Sequence, residues 1–169
     1  MKASSFHTIV HALKAHNVRY IVVGGLAVIA HGYLRATRDA DIVLELVPDN
    51  IESAFRALNQ IGYRPTVPIT SKQFSNADLR KIWHTEKNMQ VLQFWSDSYP
   101  DTKLDVFVQH PFDFNTEWES AKSEHTGDQN TLVRFASIPT LISMKQSANR
   151  LKDQIDIEFL KKIQQATQK

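Results

Sequence analysis

"GGLAVIAHGYLRATRDAD" occupies residues 24–41. It follows Tyr20-Ile21-Val22-Val23, a β-branched run that reads as a buried strand. Gly24-Gly25 marks a tight turn at its end, and Leu26 to His31 suits a short helix closed by Gly32. The stretch finishes with Asp39-Ala40-Asp41, which leads into Ile42-Val43-Leu44-Glu45-Leu46, a second strand. Strand side chains alternate, so Asp39 and Asp41 share one face. Two carboxylates there repel each other unless a cation sits with them, and Mg²⁺ takes oxygen ligands of this kind. A glycine pair opening a helix allows close backbone approach and offers N–H groups to a phosphate. The two ends therefore read either as a tight turn and a strand-entry cap, or as two halves of one site.

Outward from this stretch, strands and helices alternate. Phe6, Ile9, Val10 and Leu13 recur at helical spacing over residues 4–15. Pro48-Asp49-Asn50 caps an amphipathic helix over Ile51 to Ile61, and Gly62 ends it. Residues 64–76 read as irregular, with a short helix over Ala77 to Trp83. Met89 to Trp95 and Lys103 to Val108 read as strands joined by the turn chemistry of SDSYPDT. Phe112 to Lys122 reads as a helix and Thr131 to Ala136 as a strand. Pro139 opens a helical segment reaching residue 166, with a break near Asn149-Arg150. The hairpin argues for a mixed sheet with helices packed on it rather than an all-parallel doubly wound fold. The expectation is one α+β (α/β) domain over residues 1–169, with 139–166 as its C-terminal helical segment.

Composition sets outer limits. With 169 residues, 42% of them hydrophobic, the chain can bury a core. It has no cysteine, which excludes disulfides and thiolate metal sites. No apolar run approaches the roughly 20 residues of a membrane span. His7 and His11 interrupt the only apolar run near the start, so no signal peptide is read and a cytoplasmic protein with no membrane association is expected. A formal net charge of +2 does not announce nucleic-acid binding.

A third acid extends the Asp39/Asp41 pair. Asp105 lies in Leu104-Asp105-Val106-Phe107-Val108, where a buried and unpaired carboxylate would be costly. If its strand lies beside the first acidic strand, three carboxylates converge, an arrangement that holds one or two metals against a nucleotide's phosphates. The alternative is a turn-capping pair and a strand Asp matched by an Arg. Arg35 and Arg38 flank the motif, and either suits a triphosphate. Thr37 either hydrogen-bonds near the site or caps the strand entry. Lys145, Asn149, Lys152 and Asp156 fall on one polar helical stripe. That stripe is either a solvated face with Lys–Asp pairs or a row of cations aimed at a site. Trp83, Phe94 and Trp95 read as core rather than as stacking platforms, and His31 as structural.

The combination of strand, Gly24-Gly25, short helix, Arg35-x-Thr37-x-Asp39-x-Asp41, strand and later Asp105 resembles the nucleotidyltransferase superfamily that includes DNA polymerase β. Within it, GGLAVIAHG…RATRDADIVLEL is similar to the small prokaryotic branch around the AbiEii-type toxins. The tail of Lys145, Arg150, Lys152-Asp153 and Asp156 resembles the same branch. The likeness implies a mixed sheet of about four to five strands with helices packed on it. It implies that Asp39, Asp41 and Asp105 bind Mg²⁺ or Mn²⁺, that Gly24 and Gly25 hold NTP phosphates, and that Lys145 is catalytic. Arg35, Thr37, Lys152 and Asp156 complete the implied nucleotide site. The implied reaction is NMP transfer from an NTP to a hydroxyl of a tRNA or protein, with a cognate antitoxin or toxin as partner. There are two departures: Gly25 stands where many members carry Ser, and the chain is shorter than typical AbiEii toxins. Two other readings stay open, a non-catalytic nucleotide-binding or toxin–antitoxin partner protein, and a metal-dependent phosphohydrolase.

Overall fold

A computed structural model describes residues 2–127 and 131–167. The chain runs α1 (Ala3–Ala15), β1 (Tyr20–Val23), α2 (Gly24–Ala30), β2 (Asp39–Leu44), α3 (Pro48–Gln60), β3 (Arg64–Pro65), α4 (Ser71–Ser75) and α5 (Ala77–Glu86). It continues through β4 (Val91–Trp95), β5 (Lys103–Phe107), α6 (Phe114–Ser120), β6 (Lys122–Thr126), β7 (Thr131–Phe135), α7 (Ile138–Ala148) and α8 (Leu151–Thr167). All strands join one sheet in the order β3-β4-β5-β2-β1-β7-β6. The β1/β7 and β2/β5 pairs are parallel, and the other pairs are antiparallel. The mixed α/β architecture is thus as expected, and β4 and β5 form the expected antiparallel pair.

The sheet has seven strands among the described residues, not four or five. The two extra strands carry no apolar alternation. β3 is only two residues long and contains Pro65, which suits an edge. β6 reads KSEHT, is mostly solvent-facing, and lies at the opposite edge; its start at Lys122 shortens the expected helix to Phe114–Ser120. Edge strands stay polar because one side has no neighbour to bury. Residues 64–76, read as irregular, also hold α4, whose N-terminus is a capping box between Thr70 and Gln73.

Burial follows strand parity around the acids. Ala40, Ile42, Leu92, Phe94, Leu104 and Val106 are buried on one face of β2, β4 and β5. On the other face Asp39, Asp41, Gln93 and Asp105 are only partly covered. β1 sits mid-sheet and is buried on both faces, which explains its unbroken apolar run. The C-terminal helical segment does break where expected: Asn149 has φ 49° and closes α7 in the left-handed conformation. α8 then folds back against α7.

Candidate active site

The strand register brings the acids together. β2 and β5 are adjacent and parallel, with Asp41 opposite Asp105 and Asp39 opposite Lys103. Side chains directly opposite on neighbouring strands lie within about 5 Å at Cβ. Gly24 adjoins the pair from the other side, since Val23 is opposite Asp41 in β1/β2. All three acids line one cavity of about 890 Å³. Gly24, Gly25, Arg35, Thr37, Lys145 and Lys152 line it as well.

The opening glycines touch the aspartates physically. Gly24 has φ +65°, and a Cβ built there would fall 2.1 Å from Asp41 Oδ2. A Cβ on Gly25 would fall 2.7 Å from Thr37 Oγ1. The Thr37 hydroxyl donates to the Asp39 carbonyl oxygen at 3.2 Å, so it also ties the strand entry. Gly24→Ala is expected to cost about 1–3 kcal/mol through the left-handed backbone alone and to push Asp41 out of place. A lower thermal midpoint checks this.

Electrostatics record the crowding. Burial, then Asp105 and Asp39, push the Asp41 carboxyl up to about 7, against the pull of Arg150 and Lys145. Burial also raises Asp105, and the Gln93 amide opposes this by donating Nε2 to Asp105 Oδ1 at 2.9 Å. A divalent cation relieves this kind of strain, and carboxylate oxygens are the donors that Mg²⁺ or Mn²⁺ accepts. In kind, the donors fit such an ion. In spacing, no group of three His, Cys, Asp or Glu side chains among the described residues forms a ready-made ligand set.

The helical tail is arranged differently from one stripe on one helix. Because the helix breaks at Asn149, Lys145 on α7 meets α8 across the bend. Lys145 is buried, with Nζ 2.6 Å from Asp156 Oδ2 and 3.5 Å from Asp153 Oδ1. Asp156 also holds the Arg35 guanidinium. Asp156 is 2% exposed and is not among the cavity-lining residues, so it anchors two cations from behind instead of facing the cavity. Arg150 Nε donates to Asp153 Oδ2 at 2.7 Å. Burial raises the Asp153 carboxyl, but Arg150 and Lys145 outweigh it and leave a net lowering. Lys152 and Arg38 line the cavity from more open positions.

Arg150 and Asp153, named above only in the likeness of the tail, both line the cavity and pair with each other at i, i+3. Gln93 carried no signal, because its contact depends on the β4/β5 register that sets it opposite Asp105. Trp83 and Phe94 are buried, but Trp95 is 40% exposed and is not core. Parity explains this: Trp95 shares the open face with Gln93, two residues away.

No family model matches the chain, and no curated protein sequence does. Several solved structures are similar in fold, two of them as follows. One is the lincosamide antibiotic adenylyltransferase LnuA bound to lincomycin, with TM-score 0.63, 16% identity, and coverage of 96% of this chain and 98% of that one. The other is ANT(2")-Ia in complex with adenylyl-2"-tobramycin, with TM-score 0.57, 12% identity, and coverage of 96% and 92%. The chain thus has the mixed α/β fold of antibiotic nucleotidyltransferases over nearly its whole length.

Proposed function

We propose that the chain is a divalent-metal-dependent nucleotidyltransferase that moves an NMP from an NTP to an acceptor hydroxyl. The observation carrying this reading is the β2/β5 register: Asp41 directly opposite Asp105, Asp39 two residues away, and the Gly24 backbone against Asp41. A pure nucleotide-binding protein has no need of three acids whose repulsion costs stability. The similar folds of two antibiotic-modifying enzymes favour a small-molecule acceptor over the tRNA, protein or toxin–antitoxin roles that the AbiEii likeness implies.

The acceptor oxygen attacks the α-phosphorus, the bond from that phosphorus to the bridging oxygen breaks, and pyrophosphate leaves. Asp39, Asp41 and Asp105 would hold Mg²⁺ or Mn²⁺, which supplies charge neutralisation and lowers the pKa of the attacking hydroxyl. Asp105 takes the hydroxyl proton on Oδ2, the oxygen that Gln93 leaves open. The N–H groups at Gly24-Gly25 hold phosphate oxygens. Arg35, Arg38 and Lys152 offset phosphate charge from the cavity wall. Lys145, fixed by Asp153 and Asp156, contributes the field that already acts on Asp41.

Calorimetric titration of each NTP with Mg²⁺ tests this. Binding is expected in the wild type and lost in the Asp39→Ala/Asp41→Ala double mutant. Pyrophosphate, not orthophosphate, is the expected product, which separates transfer from phosphohydrolysis. No binding by the wild type at millimolar nucleotide would overturn the reading.

A further inference from the structure

The segment that leads into β2 alternates in burial like a strand. Tyr33, Arg35 and Thr37 are half-buried, while Leu34, Ala36 and Arg38 are exposed. Leu34 is 86% exposed, so it does not anchor the segment. The inward side chains do. Thr37 donates to the Asp39 carbonyl oxygen. Arg35 Nη1 donates to the buried Asp156 carboxylate on α8, and its Nε donates to the Ala36 carbonyl oxygen at 3.3 Å. Tyr33 stacks on Phe159 of the same helix, with ring centroids 3.9 Å apart and ring planes 12° from parallel. Lys162 Nζ lies 5.4 Å from the Phe159 centroid and helps hold that ring.

We propose that Tyr33 and Phe159 are positioning residues of the nucleotide site: their stack, which lies outside the cavity, holds Arg35 where it meets the triphosphate. This rests on the nucleotidyltransferase reading above for the identity of the ligand. The two contacts with α8 match in spacing. Asp156 and Phe159 stand three residues apart on the helix, about 5–6 Å at Cβ. Tyr33 and Arg35 stand two residues apart on an extended chain, a span of about 7 Å. The segment runs antiparallel to α8, so Tyr33 meets Phe159 while Arg35 meets Asp156. What this two-point grip aims is not a core residue. Arg35 lines the cavity of the three acids, and its guanidinium carbon lies 3.7 Å from where a Cβ on Gly25 would stand. With Nη1 and Nε engaged, Nη2 is the guanidinium nitrogen left among the described residues to meet a phosphate oxygen. The ion pair with Asp156 fixes only the tip of a long side chain. The stack fixes the chain two residues before it, so backbone and guanidinium are held together.

Calorimetric titration of Mg²⁺–ATP into the full chain tests this through a double-mutant cycle. Arg35→Met is expected to weaken binding about tenfold or more, through the loss of a charge-assisted hydrogen bond. Phe159→Ala is expected to weaken it about fivefold, within the range of coupling between groups in contact. Phe159→Tyr keeps the ring and is expected to bind as the wild type does. In the Arg35→Met background, Phe159→Ala is expected to change the affinity by less than about twofold, because the ring acts only through the arginine. A general loosening of α8 would instead carry its full loss into that background, and that result would overturn the proposal. Either Phe159→Ala or Arg35→Met binding as tightly as the wild type would overturn it too. In each of these cases a wild-type chain that binds Mg²⁺–ATP leaves the transferase reading standing. A wild-type chain that does not bind it at millimolar nucleotide would overturn both.

Discussion

In metal-free buffer at pH 8, the Asp41→Asn protein is expected to melt about 5–12 °C above the wild type; with Mg²⁺ present, the nucleotidyl transfer proposed above is expected to fall on the order of 10³-fold. The stability gain follows from the sign of the shift. Burial, Asp105 and Asp39 raise the Asp41 carboxyl from 3.8 to about 7 in the folded chain. The folded state therefore holds its proton more tightly than the unfolded state does. Stability falls as pH rises from about 4 to about 7 and stays low above that. The loss is about 2–4 kcal/mol at pH 8. Asparagine keeps the shape, carries no charge and escapes the loss. At pH 5 most of the wild-type carboxyl is still protonated, so the gap between the two proteins should shrink. Mg²⁺ should also narrow it at pH 8 by stabilising only the wild type. Differential scanning calorimetry at both pH values, with and without Mg²⁺, checks each statement. Equal melting of the two proteins at pH 8 would show that Asp41 carries no such strain.

The second large effect concerns the buried cation. Lys145→Met is expected to destabilise the chain by about 3 kcal/mol. Lys145 lies between Asp153 and Asp156, whose side chains are 1% and 3% exposed. Removing it leaves two buried carboxylates short of a partner. Arg150 still holds Asp153 and Arg35 still holds Asp156, which keeps the cost below that of a wholly orphaned pair. Adding Asp156→Asn to Lys145→Met should cost less than the sum of the two single changes, because the second substitution removes a charge that the first left unmatched. Urea unfolding of the single and double variants measures the coupling. Strict additivity would mean that the cluster does not act as a unit.

The same buried cluster sets how the tail is understood. Lys145, Lys152 and Asp156 fall on one helical stripe in the sequence. The turn at Asn149 replaces that stripe with a fold-back, so Asp156 reaches Lys145 from a second helix and takes Arg35 from the loop before β2. The loop carrying Arg35, Thr37 and Arg38 is thereby pinned to the C-terminal helix. Spacing can report which residues share a face of an unbroken helix, but not which of them meet after a bend.

By itself, the sequence determined the local units around the site. β-Branched runs marked the central strands, because strands buried on both faces must be apolar throughout. The Gly24-Gly25 turn, the common face of Asp39 and Asp41, the β4/β5 hairpin and the break near Asn149 were all legible, because each depends on residues close in the chain. Asp105 stood out as an acid within an apolar run. The tertiary structure alone decided what depends on pairing between distant segments. The polar edge strands β3 and β6 carry no hydrophobic signal and are defined by the neighbours they bond to. The placement of Asp105 opposite Asp41, of Gln93 beside Asp105, and of Trp95 on the open face follows from strand order and register. Strand pairing carries its information across the sheet, and a shift of one residue would turn each of these side chains to the opposite face.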